Sequence, residues 1–265
     1  MSGIISITTD FGLTDPYVGA MKGSMLGFNP DSTLVDITHQ VGHGDVFAGA
    51  LALLAACPCF PEGTVHLAVV DPGVGSARRG IAVETERYFF VGPDNGLLSL
   101  AAAKDGIKRV VELTRTELFR PEISPTFHGR DVFGPAAALL SSGTGIEELG
   151  PVIKDMEMYR FPEPTKEEGL ARGEVIYVDH FGNLVSNISE PDLEGLGPDI
   201  EVSLGGKLIG DLADTYASVP EGIAAPLVGS SGLVEVAVHL GSAAERFGAG
   251  RGTEIVAEKK ERSTE

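Results

Sequence analysis

The sequence predicts an α/β protein, with an amino-terminal mostly parallel sheet and flanking helices, plus a smaller carboxy-terminal mainly antiparallel β domain. Three observations predict it. From residue 4 to about 140, short β-branched runs alternate with small-residue helical stretches. This alternation of strand and helix patterns is lost after Pro151. Predicted strands with tight turns then fill the rest of the chain. With 265 residues, the chain can bury a sizeable core in one or two domains. We expect an α/β domain at 1–160, a linker at 161–171 and a β-rich domain at 172–265.

The elements of the first domain follow in chain order. IISITTD and TLVDI are β-branched runs, and a helical pattern between them begins at Tyr17. Asp45 is a candidate N-cap for a helix that ends at Ala56, and TVHLAVVD is an apolar strand of the kind buried on both faces. IAVET, RYFFV and RVVEL predict three more strands and LLSLAAAK a short helix. A helix over 131–141 completes the domain.

The linker and the second domain differ in sequence pattern from the first domain. Between Pro151 and Ala171 the regular pattern gives way to KDMEMYRFPEPTKEEG, which has charge and proline but no hydrophobic period, and the expected linker lies in this stretch. After it, GEVIYVDHFGNLVSNI, EVSLGGKLI, SGLVEVAVHL and TEIVAEK predict strands, with a hairpin signal at Gly205-Gly206. GSAAERFG predicts one short helix among them.

The charge balance narrows the class of partner. The chain has 38 Asp plus Glu against 20 Lys plus Arg, a formal net charge of -18, which opposes binding to a phosphate backbone. We therefore expect no nucleic-acid partner, and the negative electrostatic field of the protein would favour a cationic small molecule.

The sequence predicts no membrane segment. The most apolar stretch, 48–60, is about 13 residues long, whereas a membrane span needs roughly 20. The amino terminus lacks the basic and apolar segments of a signal peptide, so we expect a cytoplasmic protein without membrane contact.

Two carboxylates mark the expected ligand crevice. Asp10 ends the first predicted strand and Asp71 ends the third, and each precedes a glycine-bearing turn. In open α/β sheets, ligands bind beyond the carboxyl ends of the strands, so both side chains belong to one crevice. A strand-end carboxylate can instead simply cap the next helix.

Basic residues are scarce before Arg78 and Arg79. The first 77 positions contain only Lys22, so a paired arginine close to Asp71 suggests a charge partner, although a solvated surface pair would look the same. The surrounding DPGVGSARRG does not meet the G-x-G-x-x-G fingerprint, because Arg79 stands where the third glycine belongs. We therefore reject a dinucleotide site.

Other candidates lie in two further segments. His128 precedes a predicted helix and so lies at a positive helix end. In DHFGN, the carboxylate, ring and amide of Asp179, Phe181 and Asn183 could bind a flat heterocycle, or the segment could be a hairpin turn. PDNGLLS, from Pro93 to Ser99, is adequately explained as a turn followed by the start of a helix.

A metal site is not predicted. Several Asp and His residues resemble the metal-binding residue types of a phosphoesterase, but no H-x-H or H-E-x-x-H spacing supports a metal site. The residues in question are Asp10, Asp71, Asp94, His128 and His180.

Seven ordered blocks spread over nearly the whole chain resemble a known family. They are TTDFG, VVDPGVGSARR, GPDNGLLS, TFHGRDVFGPAA, DHFGNLVSNI, TYASVPEG and SSGLVEVAVHLGSAAE. The chain resembles the S-adenosyl-L-methionine (SAM) hydroxide adenosyltransferases, or SAM hydrolases, which are related to fluorinase and chlorinase. The resemblance implies hydrolysis of SAM to adenosine and L-methionine by water or hydroxide at ribose C5′, with no metal or added cofactor. It also implies a homotrimer, with each site between the amino-terminal domain of one subunit and the carboxy-terminal domain of its neighbour.

The resemblance also assigns roles to residues. The catalytic Asp-Arg-His set of the family falls on Asp71, Arg78 and His128. Asp10 matches the carboxylate that holds the ribose hydroxyls. Further substrate-binding positions fall on Asp179, Phe181, Asn183, Tyr216, Ser231, Glu235 and Ala237.

Three other functions compete with the hydrolase. The halogenating relatives lack the strand-end aspartate of D-P-G-V-G, whereas Asp71 is present here, so water rather than halide is the expected nucleophile. A SAM-dependent halogenase would form a 5′-halo-nucleoside from chloride or fluoride. A non-catalytic SAM or adenosine binder would bind tightly without turnover, and a metal-dependent phosphoesterase would be sensitive to chelators.

Overall fold

The computed structural model describes residues 3–260. These residues form two compact units, one that ends at Arg160 and one that begins at Phe161. Among the residues described, no helix has the length and apolar character needed to cross a membrane.

The first unit contains a seven-stranded sheet in the order β2-β1-β3-β5-β4-β6-β7. Its strands are β1 (Ile4–Thr9), β2 (Thr33–Thr38), β3 (Val65–Val69), β4 (Gly80–Thr85), β5 (Phe89–Pro93), β6 (Ile107–Glu112) and β7 (Val152–Ile153). β1 pairs in parallel with β2 and β3, and β3 pairs in parallel with β5. The pairs of β4 with β5, β4 with β6, and β6 with β7 are antiparallel.

Helices cover both faces of this sheet. They are α1 (Tyr17–Phe28), α2 (Val46–Ala56), α3 (Ser99–Asp105) and α4 (Gly134–Ser142). Successive strand residues point to opposite faces. Accordingly, Leu67 and Val69 of β3 share a core with α1 and α4, while Ala68 and the following Val70 share a second core with α2 and α3. The sheet is thus buried on both sides, which explains the near-continuous apolar run of β3.

The order of the first strands creates a switch point. β1 leads through α1 to β2 on one side of it, and β2 leads through α2 to β3 on the other side. Asp45 caps α2 as predicted, because its side chain accepts a hydrogen bond of 3.0 Å from Ala48 N. Ligand crevices of open α/β sheets form at such switch points, beyond the carboxyl ends of the strands.

The second unit is built from antiparallel strands around its own core. They are β8 (Thr165–Glu167), β9 (Leu170–Val178), β10 (Leu184–Ser189), β11 (Ile200–Leu204), β12 (Lys207–Asp211), β13 (Ala224–Val228), β14 (Leu233–Val238) and β15 (Glu254–Lys259). They follow the order β12-β11-β15-β9-β10-β14-β13, and β8 pairs with β9. A short helix, α5 (Ala243–Phe247), precedes β15.

The predicted α/β class is confirmed, but the first sheet is more mixed than expected. Half of its pairings are antiparallel, because residues 86–88 are too few for a crossover and instead join β4 and β5 as a hairpin. The predicted helix over 131–141 begins with a π-helical turn, Gly129–Phe133, that runs into α4.

Two segments of the second unit differ from the sequence prediction. Part of the predicted linker 161–171 is regular structure, because β8 turns at Gly169 (φ +78) and pairs back onto β9. β13 was not predicted, since Pro226 interrupts its apolar run. Proline is tolerated there because β13 lies at the edge of the sheet.

Candidate active site

Two neighbouring parallel strands bring Asp10 and Asp71 to one edge of the first sheet. Thr9 of β1 is in register with Val69 of β3, and the two aspartates follow these strands. Both carboxylates line a cleft of about 250 Å³, together with His128. The structure therefore brings together the three residues that the sequence placed at strand ends and before α4.

An ion pair fixes the Asp71 carboxylate. Arg78 Nε donates to Asp71 Oδ1 at 2.8 Å and to Oδ2 at 3.0 Å, and Arg78 Nη2 also donates to Oδ2. The side chains of Asp71 and Arg78 are only 6% and 12% exposed. The guanidinium carbon also lies 5.0 Å from the ring centroid of the buried Phe133. Several contacts thus hold Arg78 in one orientation beside Asp71.

His128 is the third member of this cluster. Its Nδ1 lies 2.9 Å from Arg78 Nη2. A guanidinium only donates hydrogen bonds, so His128 Nδ1 accepts and the ring proton is on Nε2. Burial, and then the positive charge of Arg78, lower the pKa of His128, while Asp71 and Asp131 act in the opposite direction. The imidazole is therefore held neutral beside an ion pair.

The local fold of 124–133 presents His128 to the cleft. Asp131, which is fully buried, accepts hydrogen bonds from Arg130 at 2.7 and 2.8 Å and from Ser124 N at 2.9 Å. A side chain at Gly129 would crowd Phe11, since its Cβ would lie 3.2 Å from the ring. The π-helical turn that follows His128 is a feature frequent at functional sites.

Asp10 is oriented by the backbone of a neighbouring loop. Its Oδ2 accepts a hydrogen bond of 2.9 Å from Gly44 N and lies 3.6 Å from Nδ1 of the exposed His43. Gly44 has φ +69, a conformation that favours glycine. Asp10 therefore does not cap a following helix, which was the alternative reading of its position.

Three aromatic rings that the sequence analysis did not single out form an apolar wall of the cleft. The rings of Phe11 and Phe127 meet edge to face at 5.8 Å, and Tyr17 contacts them at 6.4 and 5.5 Å between centroids. Phe11 and Phe127 lie inside the motifs TTDFG and TFHGRD, next to the candidate polar residues. Adjacency to these residues was the only signal for their role.

In the second unit, DHFGN is the turn between β9 and β10. Asp179 Oδ1 accepts from Phe181 N at 2.9 Å and Asn183 N at 2.8 Å, and Asp179 Oδ2 accepts from Asn183 Nδ2 at 2.9 Å. The hairpin-turn interpretation of this segment is thus correct. The turn leaves the Phe181 ring 72% exposed, while Asn183 is buried.

A buried carboxyl group lies beside this turn. Tyr216 Oη donates to Glu235 Oε1 at 2.5 Å, and Glu235 is 5% exposed. Burial raises the pKa of Glu235 and the charge of Asp179 adds to the rise, whereas the Tyr216 hydrogen bond opposes it. The same hydrogen bond raises the pKa of Tyr216 to about 12. Gly229 leaves the space that Glu235 occupies, because a Cβ there would lie 2.3 Å from Oε2.

The remaining predicted residues of the second unit lie on or next to β14. Ser231 is exposed in the turn between β13 and β14, and Ala237 is buried within β14. Asp94, one of the residues that resemble those of a phosphoesterase, pairs with Arg79. Within residues 3–260, no group of three or more His, Cys, Asp and Glu side chains could hold a metal ion.

Comparison with known proteins gives consistent family relationships. Residues 5–150 match the SAM hydroxide adenosyltransferase N-terminal domain, and residues 173–256 match the corresponding C-terminal domain. An (R)-S-adenosyl-L-methionine hydrolase from Salinispora tropica is 42% identical over 248 residues, covering 92% of this chain and 93% of that protein. A fluorinase from an Actinoplanes species is 31% identical over 244 residues, covering 82% of each chain.

A solved structure gives the same relationship at the level of the fold. The crystal structure of an uncharacterized conserved protein from Thermotoga maritima has a TM-score of 0.89 and 35% identity, covering 96% of this chain and 99% of that one. The family models span most of the chain, and the relationship that the sequence motifs indicated is confirmed. This chain belongs to the SAM hydroxide adenosyltransferase family.

Proposed function

We propose that the protein hydrolyses S-adenosyl-L-methionine to adenosine and L-methionine. One observation carries the proposal: Asp71, which is paired with Arg78, and the neutral His128 line a cleft at the switch point of the sheet. The hydrolase name of the 42% identical relative supports the same reaction.

The reaction needs a positioned nucleophile more than a strong acid. The sulfonium makes methionine a neutral leaving group, so the oxygen–C5′ bond forms as the C5′–sulfur bond breaks, and the electron pair stays on sulfur. Holding water in line behind C5′ contributes on the order of 7 to 11 kcal/mol. A positioned base contributes typically about 10²- to 10⁴-fold.

Each cleft residue has a role in this scheme. Asp71 and the Nε2–H of His128 orient the attacking water, and Asp71 accepts its proton late in the step, while Arg78 fixes the Asp71 carboxylate. Asp10 holds the ribose hydroxyls. The aromatic wall removes competing solvent from the cleft, and exclusion of water strengthens the electrostatic interactions there.

The second unit supplies the remaining substrate contacts. Its polar groups bind the methionine and adenosine ends, and Phe181 and Tyr216 border the nucleoside. The set is Asp179, Phe181, Asn183, Tyr216, Ser231, Glu235 and Ala237. SAM is the substrate rather than a cofactor, and no metal takes part.

Incubation of the protein with SAM alone, followed by chromatography, tests the function. Adenosine and methionine should appear together in equal amounts, with and without EDTA. Parallel incubations with chloride or fluoride should give no 5′-halo-nucleoside. Tight SAM binding without products would identify a binding protein, halogenated product a halogenase, and chelator-sensitive activity a metal enzyme.

Two properties of the assembled protein are part of the proposal. We expect a homotrimer, in which each site takes residues from two subunits, and a cytoplasmic location; family resemblance supports the first. Light scattering coupled to gel filtration would measure the oligomeric mass. A monomeric, active enzyme would contradict the shared site.

A further inference from the structure

A turn outside the cleft contacts both chain segments that carry the central ion pair. It consists of Asp94 and Asn95, which follow β5 and precede α3. We call it the Asp94–Asn95 turn. From sequence alone it is predicted only as a turn before a helix, yet its two side chains bind the residues adjacent to Asp71 and Arg78.

The Asp94 side of the turn holds the residue after Arg78. Asp94 Oδ2 accepts from Arg79 Nε at 2.9 Å and lies 2.6 Å from Arg79 Nη2, and the Asp94 side chain is only 2% exposed. Asp94 N also donates to Arg79 O at 3.0 Å. Asp94 Oδ1 accepts from Glu157 N at 2.7 Å, so the carboxylate is itself fixed. Both the backbone and the side chain of Arg79 are thereby anchored.

The Asn95 side holds the residue before Asp71. Asn95 Nδ2 donates to Val70 O at 2.9 Å, and Asn95 Oδ1 accepts from Leu97 N at 3.2 Å. Val70 is fully buried between β3 and Asp71. The amide side chain therefore fixes the backbone from which Asp71 projects.

These two anchors determine where the ion pair forms. Arg78 contacts Asp71 and His128, while the adjacent Arg79 contacts Asp94 and Asp155. Anchoring Arg79 on Asp94 and Asp155 leaves Arg78 directed toward Asp71 and His128. Without the anchors, the Asp71–Arg78 pair could still form, but its position relative to the sheet edge would be free to shift.

We propose that Asp94 and Asn95 are positioning residues for the reaction, which hold Asp71 and Arg78 in register for attack on C5′. The proposal rests on the proposed function for its catalytic consequence. The geometric part, that the turn fixes Arg78 beside His128, is independent of it.

Asp94→Asn is the central variant, because it keeps the shape of the side chain and removes its charge. A misplacement of about 1 Å far from the chemistry can cost about 10²-fold in rate, so we expect kcat to fall by about that factor with KM little changed. Asp155→Asn is the matched control. It removes only the charge of a side chain that contacts Arg79 and is 78% exposed, and kcat should stay at the wild-type value.

A double-mutant cycle separates positioning from a general structural role. If Asp94 acts through Arg78, Asp94→Asn should lower kcat no further once Arg78→Ala is present. An equal loss in both backgrounds would overturn the proposal, as would a change in KM with kcat unaffected. If Asp94→Asn does not fold, Asn95→Asp replaces it, since it keeps the acceptor for Leu97 N and loses the donor to Val70 O.

NMR titration of His128 gives a readout that needs no activity. The charged groups that act on this imidazole are Arg78, which lowers its pKa, and Asp71 and Asp131, which raise it. Release of Arg78 from its place should raise the His128 pKa in Asp94→Asn, and an unchanged value would overturn the proposal. If the wild-type protein forms no adenosine, the proposed function fails, while this titration still decides the positioning role.

Discussion

Replacement of Asp71 by Asn tests the central chemical assignment. The substitution keeps an oxygen that can accept from Arg78 but removes the charge that three donor contacts now share. Hydrogen bonds to charged groups contribute roughly 1.5 to 3 kcal/mol each. Because Asp71 lines an open cleft and the amide retains part of the interaction, we expect the free energy of unfolding to fall by only about 2 kcal/mol.

The catalytic loss should be larger than the structural one. Removal of a positioned base and water ligand costs about 10²- to 10⁴-fold in kcat, which corresponds to about 2.7 to 5.4 kcal/mol in the activation barrier. Domains are typically stable by about 5 to 15 kcal/mol, so the variant should remain folded while it loses turnover. Urea unfolding and initial-rate assays with SAM measure the two effects separately.

Asp10→Asn is the matched control for this prediction, because it changes a second carboxylate of the same cleft. We expect it to raise KM, through loss of the ribose contact, with a much smaller change in kcat. Wild-type turnover in Asp71→Asn, or the reverse pattern of effects in the two variants, would refute the assignment.

Four other measurements test the site and the fold. Because His128 must be neutral and its pKa is lowered, kcat should fall only as pH drops below the usual histidine range. Arg78→Ala should move this acidic fall in kcat to higher pH, and an unchanged pH profile would contradict the role of Arg78. Tyr216→Phe leaves Glu235 without its donor, so unfolding free energy should fall by about 1 to 3 kcal/mol and KM should rise; a loss of kcat alone would place Tyr216 elsewhere. Burial lowers the pKa of His66 from 6.5 to about 4, so between these pH values the imidazole is protonated in the unfolded chain and neutral in the folded one. The free energy of unfolding should therefore decline as pH falls from 6.5 to 4, by up to about 3 kcal/mol. Urea titrations across this range should show a shallower decline in His66→Gln. SAM is a net cation and the chain has a formal charge of -18, so added salt should lower kcat/KM more than kcat, and equal changes would exclude electrostatic steering.

The sequence predicted the elements that repeat a simple period and missed those that depend on neighbours in space. β3 was predictable because a strand buried on both faces is apolar throughout. The antiparallel pairing of β4 and the edge strand β13 were not, since direction depends on connection length and Pro226 conceals the strand pattern. The composition of 161–171 predicts a linker because the segment has no hydrophobic period of its own, and its strand structure comes from pairing with β9.

The same distinction applies to the candidate site. Strand-end position was enough to predict that Asp10 and Asp71 share a crevice, because parallel strands end at one edge of the sheet. Long-range contacts such as Arg78 with His128, or Tyr216 with Glu235, join residues 50 and 19 positions apart, and no periodicity encodes them. The family motifs supplied these residues as candidates but gave no information about which of them touch.

The two adjacent arginines show how side-chain direction divides a motif between tasks. Where the backbone is extended, successive side chains point to opposite sides, so two adjacent arginines do not readily point into the same cleft. Arg78 is 12% exposed and bound to Asp71, whereas Arg79 is 26% exposed and extends between the buried Asp94 and the exposed Asp155. From sequence, the two arginines could be either a charge partner of Asp71 or a solvated surface pair. Arg78 is the charge partner, and Arg79 is the arginine that reaches the surface. The buried end of the Arg79 contact gives the second arginine a function, because an Arg79 bound only to the exposed Asp155 would not fix the backbone next to Arg78.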